Sequence, residues 1–475
     1  MLKDVRAWIL LFALIRLVGI TNPPLEVGHA WRQSITNMIA RNFIEVEFDL
    51  FHPRIDHGGD GTGIIGCEFP LLNGLIALLW RAFGPAHWYG RLIVLIVSSI
   101  GMWCFSRLVK EVFDERTAFV STLILLASVW FEFSRKIMPD TFSVSLVFIG
   151  LYHAVHYLRD GRWFRLLWTI AFVAAGGLSK MPALCLCAAM MIVVYNSTAP
   201  VRRKVMLAAC AIPVLIAVCA WYFAWVPHLV ETYGNPLFFT RDIPRGLREL
   251  WASAGLTAEM FYFHAFRSFA GFAAFVVGLV ILFRQQRRAV ILGFLSIAAA
   301  FAFFMVKAGD VFSTHGYYMI SFAPVMAVVA ALALDRLRMK WSIVALGLIC
   351  VEGVANQYYD MFIPDKRKFV MGIEAVADRF TERKDLVIVN SWQDPQPMYF
   401  LHRKGWSIAD DVCDDRRMLD SLGERGAKCL FKIGKQLGNP LALRELFRDD
   451  HLVVMAIGTR AFVPDSADPK PVALP

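Results

Sequence analysis

Ionisable residues gather at a few places in an otherwise apolar chain. "LEVGHAWRQSITNMIARNF" (25–43) sets Glu26, His29 and Arg32 three residues apart, close to one helical turn. Asp56, His57, Asp60 and Glu68 follow within the same polar region. Further on come Arg91, then Arg135, Lys136 and Asp140 in "RKIMPD", Lys180 in "GGLSKMP", and Lys307, Asp310 and His315 in "KAGDVFSTHGYY". Carboxylates and imidazoles can take a proton from a hydroxyl. Arginine and lysine can hold phosphate oxygens through charge-assisted hydrogen bonds. Together they could bind an anionic lipid headgroup and activate an acceptor hydroxyl. Each has a plainer alternative. Arg91, Lys180 and Lys307 could snorkel to headgroups. Asp140, directly after Pro139, could be a first-turn acid favoured by the helix dipole. Glu26, His29 and Arg32 could be a solvated helix face. "HGGDGTG" (57–63) could be a flexible turn; no Lys-Ser/Thr follows, so it is not a phosphate-binding P-loop. His57 and Asp60 are candidate ligands for a divalent metal ion.

The elements that must position these residues are membrane spans. Of 475 residues, 57% are hydrophobic and 19% charged, with mean hydropathy +0.52. Runs such as "VMLAACAIPVLIAVCAWYFAWV" approach the roughly 20 residues that cross a bilayer core. Eleven spans are expected, near 7–20, 87–106, 117–133, 140–158, 166–179, 183–197, 205–226, 268–283, 289–306, 317–334 and 341–355. Lys3 and Arg6 precede the first and no small-residue cleavage site follows it, so it reads as an anchor. Alternate connections are basic, as in Arg202, Arg203 and Lys204 or Arg284, Arg287 and Arg288. That pattern puts the N-terminus in the cytosol and accounts for most of the net charge of +10, which argues against nucleic-acid binding. A long first loop (21–86) and everything after 355 then lie on the opposite side. Stretches 35–44 and 71–83 read as helices lying along the interface.

Residues 1–355 therefore read as a polytopic α-helical membrane domain and 356–475 as a small non-cytosolic α/β domain. In the latter, strands are expected in "LVIVNSW", "CLFKIG" and "HLVVMAIGTRAFV", helices at 366–383, 394–403, 415–426 and 440–448, and a Pro-rich disordered end. Nine cysteines form no metal-type spacing; Cys67, Cys413 and Cys429, outside the apolar runs, leave room for one disulfide.

The order of motifs along residues 1–335 resembles the GT-C glycosyltransferases of the protein O-mannosyltransferase and lipid A aminoarabinose transferase type (glycosyltransferase family 39-like). "HAWRQSITNMIARNF", "HPRIDHGG", "CEFPLLNGLIALLWRAFG" and "YGRLIVLIVSS" follow one another. "KIMPDTFSVSLVF" resembles the family's acid at the start of the fourth span, "GGLSKMPAL" its "LTKGP" turn, and "HGYYMISFAPVMAVVAAL" its "YxLPxxP" span. The resemblance implies a GT-C-like fold with about eleven transmembrane helices. It also implies transfer of a sugar from a polyprenyl-phosphate donor, with inversion, on the outer face of the cytoplasmic membrane of a bacterium. The acceptor would be a lipid, glycan or protein. Catalytic candidates are then His29, Glu26, Glu68 and Asp140. Candidates for the donor phosphate are Arg32, Arg91, Arg135, Lys136, Lys180 and His315. Two departures stand out. Aligning the family's "DExR"-like motif on Arg32 puts His29 where relatives carry the catalytic acid, and Phe69 replaces the lysine of their "EKPPL"-like motif. No cofactor is required, although a divalent ion could bridge acid and phosphate. The competing reading is a transporter or flippase for a lipid-linked saccharide. Its path would need polar groups near the bilayer midplane, whereas these sit at one face.

Overall fold

The computed structural model describes residues 4–237, 240–434 and 437–457; the Pro-rich end lies outside them. The first helices in chain order are α1 (Val5–Ile15), α2 (Ala30–Glu45), α3 (Leu71–Phe83), α4 (Tyr89–Val112), α5 (Glu115–Ala127), α6 (Val129–Phe133), α7 (Pro139–Asp160), α8 (Phe164–Ser179) and α9 (Met190–Asn196). Local signals fix their ends. Asp114 caps α5 by accepting from the Thr117 N–H, Pro139 opens α7, and Gly161 (φ 70°) closes α7 in the left-handed conformation. Helix α7 forms the centre of the bundle, packed against α4 and α8. Gly150 makes the α7–α8 approach possible, because a Cβ there would strike Val173 and the Thr169 carbonyl. The large apolar core joins these helices to Phe269–Gln285, Ala323–Asp335 and Met339–Ala355.

Every expected span falls on helical structure, but the helices are more broken than the apolar runs suggest. Four are long and apolar enough to cross a membrane: Tyr89–Val112, Pro139–Asp160, Val201–Tyr233 and Arg288–Ala308. Two bent pairs raise the number to 6 if each counts as one span. The rest are shorter apolar helices such as Val5–Ile15, Phe164–Ser179 and Met181–Asn196, which opens with the 3₁₀ turn Met181–Ala189; π turns also interrupt Val201–Tyr233 at Ala220–Trp225 and one arm of a bent pair at Met260–His264. By length and composition the count is thus four to six, and eleven is not established.

Beyond the last helix lies a five-stranded sheet in the order β2-β1-β3-β5-β4, built from β1 (Leu386–Val389), β2 (Lys404–Ser407), β3 (Ala427–Ile433), β4 (Glu445–Arg448) and β5 (Leu452–Ala456). Strands β1, β2 and β3 are parallel, and β5 runs antiparallel to β3 and β4. Helices Gln396–Leu401 and Arg416–Glu424 make the crossovers, as their patterns predict. The expected helix at 440–448 is instead a turn leading into β4. Its residues Glu445–Arg448 pair with β5 and give that strand a second neighbour, a non-local gain that overrides local propensity.

This domain is seated on the first long loop. Leu25, Ile35, Met38, Ile39 and Phe43 share one core with Val387, Tyr399, Leu401 and Phe431. Helix α2 is therefore buried between protein layers from Ala30 to Phe43, apart from half-buried Trp31, and does not lie along the interface as its apolar stretch suggests. The "HGGDGTG" turn is the strap. Gly59 N–H donates to the Gly405 carbonyl (2.7 Å), Gly405 N–H to the Asp56 carbonyl (3.0 Å), and Asp60 pairs with Arg425 at 2.5 Å. Cys67, Cys413 and Cys429 are buried apart as free thiols, so no disulfide forms among them.

Candidate functional site

The polar residues singled out from the sequence separate into two layers. The inner layer is closed. Glu26 is fully buried, with one carboxylate oxygen accepting from Arg91 Nη1 (3.1 Å), Arg135 Nη2 (2.9 Å) and Asn22 (2.9 Å), and the other from Lys136 Nζ (2.9 Å). Arg91 also donates to the carbonyls of Gly19, Asn22 and Pro23 and to Gln33. Lys136 donates to the carbonyls of Val27 and Asp360. Three cations and one carboxylate, all without solvent exposure, thus tie the start of the loop to α4 and to the α6–α7 turn. Isolated buried charges are prohibitively expensive, so the arrangement is a mutual requirement.

The outer layer is a cleft. Gly28 and His29 both adopt the left-handed conformation (φ 77° and 57°) immediately before α2. Only glycine fits at 28, since a Cβ would overlap the Glu132 carboxylate. The kink turns the His29 ring toward Tyr317 (4.4 Å between centroids, edge-on), His315 (5.2 Å) and Phe133 (6.0 Å). His315 Nδ1 donates to the Val311 carbonyl (2.9 Å), which leaves its Nε2 to donate when the ring is protonated. Lys180, at the end of α8, lies 3.8 Å from Asp140 Oδ1 and 5.9 and 5.8 Å from the Tyr317 and Tyr318 rings. Asp140 is buried, and its Oδ2 has no hydrogen-bond partner. Arg32 and Glu68 form a buried ion pair with each other. Arg267, in the left-handed region (φ 53°), is 3.5 Å from Glu132.

Burial, with His315 when it is charged and the cations Lys136, Lys180 and Arg267, pushes the His29 imidazole down to about 3. The ring is therefore neutral near pH 7. It can accept a proton once negative charge arrives among those cations.

The structure therefore brings together His29, Asp140, Lys180 and His315, with the Arg32–Glu68 pair. It sets Glu26, Arg91, Arg135 and Lys136 behind them. Lys307 and Asp310 are drawn away to Arg241, where they fasten the mid-chain loop. Asp60 is held by Arg425, and among the described residues no group of three or more His, Cys, Asp or Glu side chains could hold a metal ion. Sequence reasoning passed over Glu132, Arg267, Tyr317 and Tyr318. An acid inside the apolar run "VWFEF" was a usable signal, because such a residue needs a partner. Nothing in "FYFHAFRS" marks Arg267. Between the helices, α4, α7, α9 and the helices from 269 to 335 line a partly open apolar cavity of about 120 Å³, with Phe105, Phe148, Leu186, Phe294 and Val328 among its walls.

Residues 68–228 match the family described as dolichyl-phosphate-mannose-protein mannosyltransferase, a segment that holds three of the ordered motifs and all but the first residue of a fourth. Among solved structures, ArnT from Cupriavidus metallidurans in the apo state superposes with a TM-score of 0.66 at 13% identity, over 95% of this chain and 98% of that one. The same protein bound to undecaprenyl phosphate gives 0.61 at 14% identity, over 98% and 99%. The oligosaccharyltransferase of Archaeoglobus fulgidus in the apo form gives 0.56 at 12% identity, over 90% and 70%. No curated sequence matches the chain at a significant level. The helical fold resembles that of GT-C membrane proteins, as the motif order implied, without the count of about eleven spans.

Proposed function

From the GT-C fold and the family match, we propose that this chain is an integral-membrane glycosyltransferase. It moves a sugar from a polyprenyl-phosphate donor to an acceptor hydroxyl on the outer face of the cytoplasmic membrane, with its N-terminus in the cytosol. One observation carries the proposal: His29, Asp140, Lys180 and His315, from four separate segments, converge at the mouth of the helix bundle. That the neighbouring ArnT structure is described as bound to undecaprenyl phosphate supports a lipid-phosphate donor.

Lys180 and His315 hold the donor phosphate, and Asp140 orients Lys180. The phosphate's negative charge offsets the cations that keep His29 neutral and raises its basicity. His29 then takes the proton of the acceptor hydroxyl as its oxygen bonds to the anomeric carbon. The carbon–oxygen bond to phosphate breaks with its electron pair going to the leaving polyprenyl phosphate, where Lys180 stabilises the developing charge. Attack opposite the leaving group inverts the anomeric centre. Glu26, Arg91, Arg135 and Lys136 are positioning residues that fix the loop carrying His29. The apolar cavity between the helices is a place for part of the isoprenoid.

The test is sugar transfer in proteoliposomes, from a pool of polyprenyl-phosphate sugars to extracted envelope glycans. Folded His29→Ala and Lys180→Ala variants are expected to lose on the order of 10²–10⁴-fold in rate. Wild-type protein that transfers nothing but moves lipid-linked sugar across the bilayer would make it a flippase.

A further inference from the structure

We propose that the turn at the carboxyl end of β1, with Trp392 at its tip, is a stacking platform for a neutral saccharide. Identifying that saccharide as the acceptor rests on the glycosyltransferase reading above; the platform itself rests on the geometry of the tail domain.

The β1–β2 ladder continues past both strands, with Ile408 N–H donating to the Val389 carbonyl and Trp392 N–H to the Ile408 carbonyl (2.9 Å each). Asp394 N–H then donates to the Ser391 carbonyl (2.7 Å), closing a tight turn over 391–394. Trp392 occupies this turn at φ 45°, a left-handed conformation where glycine or asparagine is at ease and a large side chain is strained. Its indole gains little packing in return, being 65% exposed. Beyond Phe362 the other described phenylalanine, tyrosine and tryptophan rings of the domain are buried, like Tyr399 and Phe431, or half-buried, like Trp406 and Phe447, and the one further exposed large hydrophobic among the described residues is Met418. A strained backbone supporting an exposed indole does nothing for stability, which points to contact with something outside the chain.

Placement narrows the occupant. Chain order reverses about β1, with β2 on one side and β3 on the other, so the turn stands at the carboxyl edge where open α/β sheets bind small polar ligands. Polar groups rim it: Asp410, whose carboxylate accepts from Asn390 at 2.6 Å, the Ser391–Ser407 hydroxyl pair at 2.7 Å, and Asp394, which accepts from Gln396 at 2.8 Å. The C–H face of a pyranose is apolar and stacks on an indole, while its hydroxyls can donate to carboxylates and exchange bonds with serines. An acidic rim disfavours uronic acids and phosphorylated sugars, so the saccharide is uncharged. The platform also adjoins the cleft. Gln393, next to Trp392, accepts at its carbonyl from Trp31 Nε1 (2.5 Å), and Trp31 is two residues from His29.

The experiment uses the full-length protein in nanodiscs without donor. Binding of neutral manno-, gluco- and galacto-oligosaccharides and of an oligogalacturonide is measured by calorimetry for wild type, Trp392→Gly and, as a control, exposed Trp163→Ala. The expected result is binding of at least one neutral oligosaccharide, weakened at least tenfold by Trp392→Gly and unchanged by Trp163→Ala. Trp392→Gly should melt no lower than wild type, because glycine suits φ 45°. Trp392→Gly binding like wild type, no neutral oligosaccharide binding wild type, or tighter binding of the galacturonide would each overturn the proposal. Trp392-dependent binding without sugar transfer would leave the platform standing and remove the glycosyltransferase reading. Transfer with Trp392-independent binding would do the reverse.

Discussion

Replacing Glu26 with glutamine separates a positioning role from a chemical one. Glu26 is the one carboxylate in direct contact with Arg91, Arg135 and Lys136, and all four side chains are fully buried. Three cations and one carboxylate carry a net charge of +2, which Glu26→Gln raises to +3 with no water to disperse it. Removing one partner of a buried ion pair costs about 3–5 kcal/mol. Two features set the size here. Glutamine keeps the shape and one acceptor oxygen, which favours the lower end; three cations share the loss, which favours the upper. Against total stabilities of about 5–15 kcal/mol for ordinary domains, this is a large fraction. Thermal unfolding and limited proteolysis in detergent, read beside transfer per folded molecule, should show a much less stable protein. Adding Lys136→Met returns the net charge to +2 and should recover part of the loss, as coupled neighbours do. Glu26→Gln that melts like wild type yet transfers no sugar would refute the argument, and would make Glu26 the base.

Two other outcomes follow from the loop and its tail. His402 Nδ1 lies 3.0 Å from Glu374 and its Nε2 2.8 Å from Glu45, so both nitrogens donate and the ring is charged, clamping the tail to the end of α2. Burial opposes that charge, but the two carboxylate bonds outweigh it and raise the ring above its usual 6.5, while His402 and then Arg383 hold Glu374 down to about 2. The histidine contribution is complete below about pH 6.5 and is lost as pH rises through its raised value; the Glu374 contribution is complete above about 4.5 and is lost toward about 2. Hydrogen exchange in Lys404–Ser407 should accelerate from pH 6 to 9, after correction for intrinsic rates, and lose that dependence in His402→Gln; equal protection across this range would contradict the clamp. Gly28→Ala combines an unfavourable φ with overlap on Glu132, and should cost about 1–3 kcal/mol through the backbone alone. A variant with wild-type melting and transfer would show that the His29 kink is not needed.

Much of this protein is written in its linear pattern. Apolar runs locate the helices because bilayer and core select the same side chains. Capping residues such as Asp114, Pro139 and Gly161 mark ends because they act within one turn. The order of motifs is enough to indicate the GT-C fold, since each motif sits at a fixed place in the connectivity. The division of the polar residues into a closed layer and an open cleft could not be read this way. Glu26 and His29 are three residues apart, yet one faces cations from α4 and the α6–α7 turn while the other faces His315, almost 300 residues away, because Gly28 and His29 reverse the backbone between them. The same holds for β4, which exists because β5 offers an edge, and for "HGGDGTG", a turn by composition and a strap only because Gly405 and Arg425 meet it. Propensity and hydropathy are local quantities and survive in sequence. Partners separated by hundreds of residues are chosen by packing, and only the folded chain specifies them.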